Sequence, residues 1–184
     1  MIRSSPALLL VLLADGSCKN VAQPATSAVS EPSPVCAARS SLDEMDTRIA
    51  VPLLPMMANH QKQNMRDHLL AVQEIILAAG RDDFRGVEKA AGRVGYSPQM
   101  AQMCTHMGAG AKGFTEQSLS FHHTADSIGA AARQHDRAAV MAALGNTLQS
   151  CTGCHETYRQ HVVDEATWTR LTSMAPPPGH HPGG

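Results

Sequence analysis

The amino-acid sequence predicts an all-α protein, an antiparallel four-helix bundle with a short extra helix between helices two and three. Three observations carry this. Aromatic residues are scarce, three Phe, two Tyr and one Trp in 184 residues. What remains for a core is Ala, Leu, Val, Ile and ten Met, a composition suited to helices rather than to sheets, where β-branched and aromatic residues should dominate. Apolar residues also recur at steps of three and four in four separate segments, and turn or capping residues bound those segments.

Helix one starts near Met57. Its stripe is Met65, Leu69, Val72, Ile76 and Ala79, with Gln, Lys, Arg and Asp elsewhere and Gly80 as its stop. Asp82 or Asp83 can cap helix two, whose stripe is Phe84, Val87, Ala91 and Val94 before Gly95. The stretch from Tyr96 to Gly113 is too long for a bundle loop. Ser97 before Pro98 makes a good helix start and Gly108 a good stop, so a short helix with Met100, Met103, Cys104, His106 and Met107 is expected there. Helix three carries Phe114, Ser118, Phe121, Ala125, Ile128 and Ala132. Helix four begins at Asp136 and is expected to continue through Val140, Leu144, Leu148, Cys151, His155, Tyr158 and Val162 on one face.

The two ends read differently. Arg3 followed by the apolar run Ala7–Ala14 and by Gly16 and Ser17 resembles an export signal over residues 1–18, too short to span a bilayer. Cys18 resembles the lipid-modified cysteine of bacterial lipoproteins, although Asp15 stands where that pattern wants Leu, so a lipid anchor, plain cleavage and a misplaced start codon all stay open. Residues 19–52 read as a linker, richest in Ser, Pro, Ala and Thr between Asn20 and Pro34. The folded bundle is expected over residues 53–172 and a flexible tail over 173–184, where His180 and His181 read as solvated residues rather than as metal ligands. A net charge of -1 offers no electrostatic case for a nucleic-acid partner.

The most informative residues are CTGCH, Cys151 to His155. Two thiols three residues apart can each add to a haem vinyl group while the following imidazole reaches the iron. A thioredoxin-type pair would need a helix opening at the first Cys, and here the helical pattern starts well upstream. A zinc module would need a second short ligand pair, which neither Cys104 nor the histidines supply. The expected cofactor is therefore one covalent haem c, held by Cys151 and Cys154 with His155 as proximal ligand and set inside the bundle.

A four-helix chain with its haem motif on the last helix is similar to the class II c-type cytochromes, the group of cytochrome c-prime and its low-spin relatives. The resemblance runs from about Met57 to Gln160, through NMRDHLLAVQEI, DDFRGVEKAAGRVG and CTGCHETYRQ. It implies a bundle, haem on Cys151 and Cys154, His155 as proximal ligand, and Arg159 as a basic residue one helical turn later near the haem edge. It also implies antiparallel dimers through helices one and two. In low-spin members a Met early in helix one closes the sixth coordination position; in c-prime proper an apolar residue leaves the iron open to small gases.

Met65 falls at the matching place, and a thioether is a suitable soft ligand. A gap-filling core Met is the plain alternative. His68, one turn on, competes as ligand, or bonds a propionate, or faces solvent. His60, His122, His123, His135 and His161 read as surface or haem-rim residues. Met100, Met103, Cys104 and Met107 could take Cu(I), with plain packing the favoured reading, and Cys104 is either buried or paired with Cys36. The expected role is an exported electron carrier, not an enzyme, serving redox partner proteins in the periplasm or from a periplasm-facing membrane anchor, with NO or CO binding by five-coordinate haem as the alternative.

Overall fold

The computed structural model describes residues 43–173. The expected export signal, Cys18, Cys36 and the tail histidines lie outside the described residues. All elements below belong to the compact unit that begins at Arg48. It is mostly helical: β1 (Ile49–Leu53), α1 (Pro55–Ala79), α2 (Phe84–Ala91), α3 (Pro98–Gly108), α4 (Phe114–Arg133), α5 (Arg137–Thr157), β2 (Tyr158–Val162) and α6 (Glu165–Ser173).

Local chemistry explains the boundaries. Pro55 opens α1, where its missing N–H costs nothing, and Gly80 closes it. Asp83 caps α2 by accepting from the Gly86 amide at 2.9 Å, Ser97 caps α3 by accepting from Met100 at 3.1 Å, and Asp136 caps α5 by accepting from Ala139 at 2.9 Å. Before α4 the chain turns through Gly113 at φ 81°, a left-handed conformation that glycine alone adopts without cost. The extra helix expected between helices two and three is α3. Helix two is shorter than its stripe implied: it ends at Ala91, and Val94 is buried from the turn that follows.

Two apolar clusters run through the helices. One joins Ile75, Ala78 and Ala79 of α1 to Val87 and Ala90 of α2, Ile128 of α4, and Val140 and Leu144 of α5. The other joins Val51 and Leu53 of β1 to Ala58, Met107, Phe114 and Tyr158, with Met57, Met103 and Cys154 packed on it. A smaller group of Ala71, Val94 and Ala125 lies against Phe121.

Three expectations are corrected here. The segment read as linker up to residue 52 includes most of β1, whose Val51 and Leu53 are fully buried. Helix four does not reach Val162: α5 ends at Thr157, and Tyr158–Val162 is a strand parallel to β1, in register from Ile49 opposite Tyr158 to Leu53 opposite Val162. Tyr158 drives the change, because its ring packs edge-on against Phe114 at 5.2 Å and its hydroxyl donates to the Lys112 carbonyl at 3.0 Å. The helix-one stripe is also rotated. The buried ridge of α1 is Ala58, Gln61, His68, Ala71, Ile75 and Ala78, while Leu69 and Ile76 are 69 % and 47 % exposed. Small residues on the ridge let neighbouring helices approach closely, which pushes the larger side chains to the flank.

Candidate haem site

The CTGCH residues occupy the last turns of α5. Upstream, the buried side of that helix is Val140, Ala143, Leu144 and Thr147. Leu148, Cys151 and His155 lie on its flank: Leu148 is 39 % exposed, both motif thiols are half-buried, and His155 is exposed. The CTGCH residues thus stand at the margin of the core, whereas the single-face reading of helix four had placed them within it. Cys154 points toward the second cluster beside Met57 and Met103.

The thiols sit where acidity is suppressed. Burial raises the pKa of Cys151 and Cys154, and for Cys154 the neighbouring Cys151 adds to it. Both are therefore held as neutral thiols rather than as ready metal-binding thiolates. Two free thiols three residues apart on a helix flank, next to an accessible imidazole and exposed apolar surface, form a donor set that fits a thioether-linked haem. Thiolate-rich zinc binding fits less well, and among the described residues no group of three or more His, Cys, Asp or Glu side chains could hold a metal ion.

The end of α5 is tied down around the motif. Arg48 donates to the carbonyls of His155 at 3.0 Å and Tyr158 at 3.5 Å, placing a cation on the last turn of the helix. Gln160 donates to the Ala58 carbonyl at 3.2 Å and to Gln61 Oε1 at 2.5 Å, so β2 grips the start of α1. Arg159 is not one helical turn beyond His155. It is a β2 residue opposite Ala50, and strand alternation sends it to the face opposite Tyr158.

Met65 and His68 separate on α1. Met65 lies on the exposed flank at 42 %, in line with Val72 two turns later, and Val72 packs on the cluster that contains Leu144. Seven residues back from Val72 is Met65, and seven on from Leu144 is Cys151, each a displacement of about 10.5 Å along its helix. His68 faces α4 instead. Its ring lies 5.3 Å from Phe121 and 5.6 Å from His122. Burial, with smaller contributions from His122 and Arg93 against an opposing one from Asp67, pushes its pKa down to about 4.

His122, expected at the surface or haem rim, is buried, with Nδ1 2.6 Å from the Val94 carbonyl and its pKa lowered mainly by burial. A buried imidazole with one backbone partner is a satisfied core residue. Its place was missed because the Phe121, Ala125, Ile128 stripe does not show that the neighbouring flank is also covered. Cys104 is buried, and its thiol is pushed up to about 11, mostly by burial. Sequence reasoning also missed α6, although Asp164 accepts from the Thr167 amide at 2.7 Å, a cap readable as Asp-x-x-Thr.

No helix among the described residues is long and apolar enough to cross a membrane. The family model described as Cytochrome C' matches residues 109–159, from the end of α3 through α4 and α5 to Arg159. No curated protein and no solved structure matches the chain. With its haem-attachment motif inside that matched stretch and on its final turns of α5, the chain is consistent with a class II c-type cytochrome.

Proposed function

We propose that this protein is an exported, single-haem electron carrier built as an antiparallel four-helix bundle, with haem c on Cys151 and Cys154, His155 as proximal ligand and Met65 as distal ligand. The bundle reading is supported by the two clusters: the C-terminal part of α1 shares one with the start of α5, and the N-terminal part of α1 shares the other with the end of α5. The ligand assignment is supported by helix spacing: Val72 packs on the cluster that contains Leu144, and an antiparallel α1 and α5 would bring Met65 and Cys151, each seven residues away from these, to a similar level. His68 is the weaker ligand because its ring is already packed between α1 and α4.

When bound, the haem would supply the Fe(III)/Fe(II) couple, and a Met ligand in addition to a His ligand would raise its potential. The chain's own residues attach and orient it: α5 presents the thiols and His155, Arg48 and Gln160 hold that helix end, and Leu148 and Leu69 provide apolar surface. Electrons would reach partner proteins through an exposed edge, in the periplasm or from an anchor at Cys18, without an enzymatic step. Pairing through helices one and two would use the apolar flank of α1 beyond the haem, where Ile76 and Leu77 are exposed.

Absorption spectra of the oxidised and reduced haem-loaded protein test this reading. The carrier is expected to be six-coordinate, low-spin and unchanged by CO. A five-coordinate spectrum that shifts with CO would replace it by NO or CO binding.

A further inference from the structure

Packing, the favoured reading of the Met-rich helix α3, accounts for two of its sulfur residues. Cys104 and Met107 are buried, and Met107 packs in the cluster of Val51, Leu53 and Phe114. Met103 packs on the same cluster and also meets α1. Its Sδ lies 3.2 Å from His60 Nε2, and Asn64 Nδ2 donates to it at 3.1 Å. Met57, one turn before His60 on α1, packs on the same cluster as Met103.

A thioether sulfur is a weak acceptor. Met103 is half-buried and packs on the cluster of Val51, Leu53 and Phe114, yet its sulfur faces an imidazole and an amide, a pairing that apolar packing alone does not require. The arrangement makes sense as a pair of ligand donors. We propose that His60 and Met103 form a binding site for a soft monovalent ion, Cu(I).

The distances permit it. With bonds of about 2.05 Å to imidazole nitrogen and about 2.3 Å to sulfur, two donors 3.2 Å apart subtend about 95° at one ion, and a separation wider by about 0.4 Å gives a tetrahedral angle. The donor types select the metal. Thioether and imidazole together suit Cu(I), whereas Mg or Ca needs oxygen ligands and structural Zn needs thiolates or more imidazoles. None of its donors belongs to the CTGCH motif, although Cys154 packs on the same cluster as Met57 and Met103.

Titration of the mature, haem-loaded chain with Cu(I) against a bicinchoninate competitor tests the proposal. One tight equivalent is expected, weakened at least about tenfold by His60→Ala and by Met103→Leu, the loss that even an outer-shell partner typically causes. Met100→Leu, on the same helix, should leave it unchanged. His60 is exposed and Met103→Leu conserves volume, so both variants should fold. Failure to compete with the chelator, or affinity unchanged in both His60→Ala and Met103→Leu, overturns the site. A haem spectrum altered by either variant also overturns it, by making the pair iron ligands.

Discussion

Lowering the pH should destabilise this protein through His68. Folding buries its imidazole against Phe121 and His122 and depresses its pKa from 6.5 to about 4. The unfolded chain therefore binds the proton first. Stability is fully present above about pH 6.5, declines as pH falls below it, and levels off near 4 once the folded form also protonates. At about 1.4 kcal/mol per pH unit the whole interval is worth about 3 kcal/mol, and the part lost by pH 5 about 2 kcal/mol. His122 acts in the same direction for the same reason. The assay is denaturant unfolding of the haem-loaded protein at about pH 7.5 and about pH 5, for wild type and for His68→Phe, which keeps a ring in place and carries no proton. The variant should lose about 2 kcal/mol less than wild type over that interval, retaining only the contributions of His122 and other groups. Equal losses in the two proteins would refute the burial argument. A changed oxidised haem spectrum in His68→Phe would refute it differently, by showing that the ring serves the iron.

Replacing Cys151 and Cys154 together by Ser should abolish covalent haem, read as loss of the haem mass increment in the mature chain, and the haem-free protein should melt earlier. Met65→Ala should leave haem attached while opening the sixth position and lowering the reduction potential; a wild-type spectrum would remove Met65 as ligand. Asp136→Ala, which deletes the cap on the Ala139 amide, should cost about 1 kcal/mol in denaturant unfolding without altering the spectrum. Gly113→Ala forces a side chain into a backbone conformation with φ 81° and should cost about 1–2 kcal/mol by the same measurement.

Much of the helical framework was legible because helix ends are local events. Gly80, Asp83, Ser97 and Asp136 each act on amides or dihedrals within a few residues, so they can be found in the chain. Pro55 opens α1 two residues before the start expected near Met57. The helix-three stripe was legible for a related reason: Phe114, Ala125, Ile128 and Ala132 are buried as their spacing requires, while Ser118 and Phe121 on the same stripe are partly buried. Helix one misled because it is apolar on more than one side. Met65, Leu69, Val72 and Ile76 form as good a period as the buried ridge, and periodicity alone cannot rank two adjacent stripes. Tyr158 misled because it continues the helical spacing, while Phe114 and the Lys112 carbonyl decide its conformation from elsewhere in the chain.

By itself, the order of residues determined the chemistry this protein can carry and the helices that carry it. Cys151, Cys154 and His155 are adjacent in the chain, so their donor set needs no fold to assemble it. Only the tertiary structure decided that α5 stops at Thr157 to pair β2 with β1, that His68 belongs to a buried ring cluster while Met65 stays on the flank, and that Met103 meets His60. Those outcomes depend on close packing between segments distant in sequence. Side-chain volume and burial then choose among faces that local periodicity leaves equivalent.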